Sequence, residues 1–253
     1  MIHHAAGRTE LATAKPADPA LIDDLVAANR ILSNEGVVDG FGHVSVRHNS
    51  APGVFLLARS MAPGLVTAAD IMQFDLDGNA LGDDTRTTYV ERFIHSEIYR
   101  AQPGVVAVVH SHSPAVIPFG VTAAALRPIY HMSSFLGAGV PVFEIRDTGG
   151  DATDMLIRNP VLGAALAQRL AGAAVALLRG HGNVVVGRSI PEVVFRAFYT
   201  EMNARLQADA LRLGSGEVSY LSAGEAAAAT ATNAGVLTRP WELWKAAALR
   251  RSN

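Results

Sequence analysis

Two different spacings of apolar residues alternate along this chain, and each change of period marks the edge of an element. Asp18-Pro19 reads as an N-cap and first-turn proline, opening a helix with Leu21, Ile22, Leu25, Val26, Ile31 and Leu32 as its stripe and Asn34-Glu35-Gly36 as its stop. From His43 the period falls to two. Val44-Ser45-Val46-Arg47, a return strand over 54–58 after Ala51-Pro52-Gly53, and a third strand over 71–75 closing at Asp77-Gly78-Asn79 predict an antiparallel run. Helical spacing returns at Tyr89, with Phe93, Ile94 and Ile98 apolar, and leads into a buried strand over 105–110. A helix over 114–121, an irregular stretch over 126–139 and a strand over 140–145 follow. The chain then predicts a helix over 160–171, strands over 173–178 and 183–186, a long helix from Ile190 to about Arg212, and two alanine-rich helices over 222–233 and 240–251.

Helices at both ends and about seven short strands between them predict an α/β sandwich around a mostly antiparallel sheet, not a regular βαβ repeat. Residues 1–17 have no apolar period and read as a mobile arm, leaving 18–253 as one catalytic domain. A hydrophobic content of 49% suffices for a core, while a net charge of -2 offers no basic footprint for nucleic acid or a membrane surface. No stretch has the apolar length of a signal peptide or a membrane span, so a cytoplasmic enzyme with a small-molecule partner is expected. The chain has no cysteine, so any metal must be held by His, Asp or Glu.

The candidate chemistry follows from that restriction. Strand residues two apart share a face, so His110-Ser111-His112 at the end of an apolar strand can aim two imidazoles at one point. A catalytic divalent ion takes about three protein ligands and keeps a position open. A third imidazole stands where a second apolar run, 173–178, ends in Arg179-Gly180-His181-Gly182. Imidazole ligation suits zinc first, and also manganese, iron, copper or nickel with a carboxylate nearby. Glu91 and His95 lie one helical turn apart, which reads either as a surface pair or as a proton shuttle carried toward the metal. Arg86 reads either as a solvated loop cation or as a clamp on a substrate carboxylate. Gly180-His181-Gly182-Asn183 precedes a valine-rich strand, not a helix, which excludes a dinucleotide fingerprint.

Taken together, GHVSVR, the helix carrying Glu91, VVHSHS, LLRGHG and the later YTEMNARLQADA resemble the class II aldolase/adducin family over residues 20 to about 235. The resemblance implies a three-layer α/β/α sandwich and a homotetramer with active sites at subunit interfaces. It also implies one divalent metal ion per subunit, zinc or alternatively manganese, on His110, His112 and His181, with Glu91 as acid/base. This chain departs from the sugar-phosphate members, which have Gly-Asn where it has Gly42-His43, a Thr-Gly or Ser-Gly loop where it has Ser60-Met61, and Ser-Ser where it has Tyr89-Val90. A carboxylated, planar substrate fits those departures better than a phosphorylated one. His43, Arg59, Ser60, Tyr89 and His131 are the candidate substrate contacts, with Arg86 and Glu91 as the catalytic pair and burial expected to raise the pKa of Glu91. The expected reaction is decarboxylation of an ortho-hydroxylated aromatic or pyridine carboxylate. The alternatives are an aldolase on an unphosphorylated substrate and a non-catalytic module like the head of adducin. Trp241 and Trp244 are expected to be exposed and to anchor a neighbouring subunit.

Overall fold

Hydrogen bonding lines up the strands foreseen from the period of two in the order β3-β2-β1-β4-β7-β6-β5. They are β1 (His43–Arg47), β2 (Val54–Ala58), β3 (Ile71–Asp75), β4 (Ala107–Ser111), β5 (Val142–Phe143), β6 (Val175–Leu178) and β7 (Gly182–Gly187). The structure is a computed structural model that describes residues 16–82, 84–214 and 217–250, without the side chain of Leu249. Most of the arm expected over 1–17 lies outside the described residues; Ala17 is buried in the core. Every pairing is antiparallel except β5 with β6, as the mostly antiparallel reading anticipated. The strand expected over 140–145 shrinks to two residues at the sheet edge and gives way to a helical turn at Arg146–Gly149. Part of the stretch expected to be irregular, His131–Ala138, forms 3-10 helix.

Alternation along the strands makes three layers. Val44, Val46, Val109, Leu177 and Val185 face one side, and Val108, Ala176, Leu178, Val184 and Val186 the other. The first side is covered by α1 (Pro19–Asn34), by the long helix Ile190–Leu213 and by the C-terminal helix Thr238–Arg250. The second is covered by two helices that pack on each other, Arg92–Ala101 and Pro160–Leu170. Trp241 is buried in the core and Trp244 stacks on Phe198 with ring centroids 5.0 Å apart. This corrects the expectation that both are exposed anchors, because the apolar stripe of the C-terminal helix is spent on its own chain. Among the described residues no helix is long and apolar enough to cross a membrane.

The contact between those two helices of the second layer sets the position of Glu91, at the N-cap of Arg92–Ala101. It is made close by Gly163, where a Cβ would stand 2.5 Å from the Phe93 carbonyl oxygen. An interior helix glycine replaced by alanine ordinarily gains about 1 kcal/mol. Here backbone blocks the new methyl, so Gly163→Ala is expected to lose about 1–3 kcal/mol instead. The midpoint of urea unfolding reads the sign directly.

Candidate metal centre

β4 ends between β1 and β7, with His110 opposite His43 on one side and Val184 on the other. Gly182 makes the close approach possible, since a Cβ there would lie 2.0 Å from the Ser111 carbonyl oxygen. Gly180, at φ +63°, turns the chain between β6 and β7, and places His181 beside the end of β4. The result is that one ligand atom each from Glu91, His110, His112 and His181 lies within 4.8 Å of the others.

Hydrogen bonds behind the cluster decide which nitrogens face inward. His110 Nδ1 is 3.1 Å from the Asn183 carbonyl and His181 Nδ1 is 3.0 Å from the Met155 carbonyl. A carbonyl only accepts, so both rings carry their proton on Nδ1 and in the neutral form present a lone pair on Nε2. His110 Nε2 is buried and has no hydrogen-bond partner, with Glu91 Oε2 3.4 Å away. His181 Nε2 lies 2.9 Å from His112 Nε2 and 3.6 Å from Glu91 Oε2. Burial first, and then the neighbouring imidazoles, hold His181 down at about 4 and His112 below its ordinary value, so these rings keep free lone pairs at neutral pH. Converging lone pairs, an unpartnered buried nitrogen and a carboxylate, with the outer nitrogens pinned by carbonyls, fit a divalent cation.

Glu91 departs from expectation in two respects. It is the N-cap residue of its helix yet makes no capping bond; its Oε1 instead accepts from the Ile157 N–H at 2.9 Å, leaving Oε2 toward the histidines. Burial pushes its carboxyl up, as expected, but His110, His181 and the Ile157 N–H outweigh that and hold it at about 2. Glu91 therefore rests as a carboxylate and can itself be a fourth ligand.

The candidate substrate residues separate. The His43 ring lies 4.6 Å from that of Tyr89 and 5.1 Å from that of His110. The Tyr89 hydroxyl donates to the Met61 carbonyl, so its ring rather than its oxygen is offered. Ser60 is exposed and its N–H donates to the Thr87 carbonyl, joining its loop to the strand of chain before Tyr89. Arg59 is held through Nε by Asp70 and is partly exposed. Arg86 does not act as a free clamp: its guanidinium donates to both Asp84 oxygens and to the carbonyls of Ala69 and Ile71. Its role here is to tie one loop to another, which corrects the clamp expectation. His131 is exposed at the start of the 3-10 helix, its ring against Tyr130 and its carbonyl bonded by Asn233; the fold does not bring it to the cluster. Sequence reasoning missed the Met155, Ile157 and Asn183 backbone groups, since a peptide group carries no side-chain signal. A cavity of about 530 Å³ elsewhere, lined by Gln102, Ser134, Phe135, Arg188 and Arg196 among others, contains neither imidazole nor carboxylate.

A sandwich of this kind, with an imidazole and carboxylate cluster at the end of its central strand, is an α/β fold with a candidate metal centre. The chain belongs to the class II aldolase and adducin family: the Class II Aldolase and Adducin N-terminal domain matches residues 23–208. It is 38% identical over 240 residues to decarboxylase tropJ of Talaromyces stipitatus, covering 87% of this chain and 90% of that one. It is 34% identical over 193 residues to a 3,4-dihydroxyphthalate decarboxylase of Terrabacter, covering 71% and 76%. In fold it is similar to L-fuculose 1-phosphate aldolase from Glaciozyma antarctica, with a TM-score of 0.74 at 23% identity over 96% of each chain. An aldolase II superfamily protein from Pseudomonas syringae superposes with a TM-score of 0.77 at 23% identity, covering 94% and 95%. The chain is an enzyme of the lyase type.

Two outcomes follow. His181→Ala should lose bound metal, measured by elemental analysis of the purified protein, because a three-imidazole set reduced to two no longer holds the ion. Separately, His95, fully buried, is held at about 3 by burial and by His110, against an ordinary 6.5. Below 6.5 the unfolded chain binds a proton that the fold refuses. Stability is thus complete above about 6.5 and falls toward pH 3 by about 1.4 kcal/mol per unit from this group. Urea midpoints at pH 7.5 and pH 5 test the slope.

Proposed function

We propose that this chain decarboxylates an ortho-hydroxylated aromatic or heteroaromatic carboxylate, using one divalent metal held by His110, His112 and His181. The observation that carries the reading is the convergence of three imidazoles on an ionised, pinned carboxylate within 4.8 Å. Similarity to proteins named as decarboxylases, one of them for a dihydroxylated aromatic diacid, supports the substrate class. Zinc is the first choice for such a donor set, and manganese the alternative.

When bound, the metal supplies Lewis acidity toward the electron density released as the carbon–carbon bond breaks. Glu91, starting as a carboxylate, takes the proton of the substrate hydroxyl through Oε2. The electron pair of the breaking bond passes into the ring and CO2 leaves. Glu91 then returns its proton to the ring carbon that lost CO2, and the hydroxyl recovers a proton from solvent. A pKa of about 2 keeps Glu91 ionised and makes its acid form, once formed, a ready donor to carbon; taking the proton is uphill and would rely on the acidity that the metal would lend the hydroxyl. The Ile157 N–H keeps Oε1 fixed, so one oxygen does the work. The rings of Tyr89 and His43 offer a surface for a planar substrate. Arg59 replaces Arg86 as the partner for a second carboxylate, because only its Nε is held. The homotetramer stays part of the proposal. Phe41, 68% exposed and stacked near His112, together with exposed Val121 and Val90, gives the mouth of the site an apolar rim for a neighbouring copy or a ring to cover.

Incubating metal-loaded protein with hydroxylated phthalates and pyridine dicarboxylates should release CO2, followed by mass spectrometry. Glu91→Gln should keep the structure and lower kcat by a factor on the order of 10²–10⁴. Aldehyde from a sugar phosphate, with no CO2 from any aromatic acid, would refute the decarboxylase reading.

A further inference from the structure

Behind the imidazole and carboxylate cluster a row of buried polar side chains runs into the sheet–helix interface. His43 Nδ1 lies 2.6 Å from His95 Nε2, and His95 Nδ1 lies 2.6 Å from Ser45 Oγ. Ser45 Oγ lies 2.8 Å from the Tyr99 hydroxyl, which reaches the Val106 carbonyl at 3.3 Å. His95 and Ser45 are completely buried, Tyr99 is 1% exposed and His43 4%. Phe55 stacks on His95 and packs at a tilt against Tyr99, closing that side of the row with an apolar ring. Buried polar groups in such a row cost stability unless each is satisfied, and nothing in the chemistry described above uses His95, Ser45 or Tyr99.

We propose that His95 is a positioning residue, the centre of a hydrogen-bond chain from Val106 to His43 that fixes the ring plane and one tautomer of His43, whose Nε2 then accepts a hydrogen bond from a substrate hydroxyl other than the one Glu91 deprotonates. The direction of the chain follows from its inner end. The Val106 carbonyl can only accept, and has a second lone pair beyond that used by the Arg47 N–H at 2.8 Å. Tyr99 therefore donates to it, Ser45 donates to Tyr99, and His95 donates to Ser45 through Nδ1. His95 Nε2 is left to accept from His43 Nδ1–H, and the lone pair of His43 falls on Nε2. The reverse direction would aim the tyrosine proton at Ser45 and leave the second lone pair of the Val106 carbonyl without a donor. Burial of His95 excludes the doubly protonated ring, which alone could donate both ways.

His43 stands opposite His110 across the β1–β4 pair, on the same face as the metal cluster. A hydroxyl brought to that cluster meets an acceptor whose orientation was set during folding, not on binding. The contact with substrate rests on the proposed decarboxylase reading. The hydrogen-bond chain and the His43 tautomer do not, so the two can fail separately.

The test uses zinc-loaded full-length protein with ¹⁵N-labelled histidine. The unaltered protein should show His43 as a single neutral ring, with a protonated Nδ1 and a pyridine-type Nε2. Tyr99→Phe removes one oxygen from the inner end, and Ser45→Ala breaks the next link. Each should shift the ¹⁵N resonances of His43, to which neither is bonded, while zinc content stays at that of the parent. On whichever aromatic acid releases CO2, kcat/KM should fall about ten- to a hundred-fold in both. His95→Gln should do the same; if it fails to fold, Tyr99→Phe still decides. His43 found as the Nε2–H tautomer, or His43 resonances unmoved by Tyr99→Phe and Ser45→Ala, would overturn the proposal. Shifted resonances with no CO2 from any acid would support the chain and refute only the substrate reading.

Discussion

Because His110 pairs with His43 on one side and Val184 on the other, the register of β4 between β1 and β7 governs everything at the site. A slip of one residue in β4 would turn His110 to the face covered by α1 and bring Val109 to the metal side. The flanking glycines hold that register from both sides. Gly182 allows β7 within contact of the Ser111 carbonyl, and Gly42, at φ +92°, lies where a Cβ would stand 2.9 Å from the His110 carbonyl. The buried bond of 2.6 Å between Ser111 Oγ and Asn183 Oδ1 ties the same two strands at the same level. Side chains cannot be placed to within a fraction of an ångström by loops alone, and here two of the three imidazoles stand on or just beyond a central strand.

The cluster so built is unfavourable in isolation. It gathers several neutral imidazoles and one carboxylate at low exposure, leaves His110 Nε2 without a partner, and gives up the cap of the helix that bears Glu91. A missing N-cap alone costs about 1 kcal/mol. A cation meeting the lone pairs reverses most of those terms together, so ion binding and local stability are linked. The loop at 155–157 belongs to the same device. Met155, held at φ +71°, turns its carbonyl to His181, and two residues later the Ile157 N–H fixes Glu91. Strained backbone at a non-glycine residue is most simply understood as maintained by those two bonds.

Much of this was legible in the sequence because it depends on period and chain position. The alternation of β1 and the apolar runs of β4 and β7 marked those strands, and the two-residue spacing of His110 and His112 their common face. What was not legible depends on the partners that folding supplies. Arg86 and Arg59 are both loop cations in the sequence, yet Asp84 and two carbonyls exhaust the first while Asp70 holds only one nitrogen of the second. Trp241 and Trp244 follow an alanine-rich stretch that suggested an exposed face, but α1 and the aromatic residues of the long helix claim them. The pKa of Glu91 was expected to rise on burial; two imidazoles and a backbone N–H, each distant in sequence, reversed the sign.

His95 shows the same limit from the other side. Four residues after Glu91 it reads as one half of a surface pair, and only the fold turns it toward β1, where its two nitrogens meet His43 and Ser45. The sugar-phosphate members of the family carry an asparagine where this chain has His43. An imidazole in that place buries a second ring nitrogen, and a buried nitrogen without a partner costs on the order of 1–3 kcal/mol. The exchange at 43 is therefore tolerable only with an acceptor or donor behind it, and that group needs its own partner in turn, which leads inward to Ser45 and Tyr99. If His43 meets the substrate as proposed, preference on this face of the sheet belongs to the connected set His43, His95, Ser45 and Tyr99, not to His43 alone. A change at 43 made without its supporting residues would lose stability before it altered specificity.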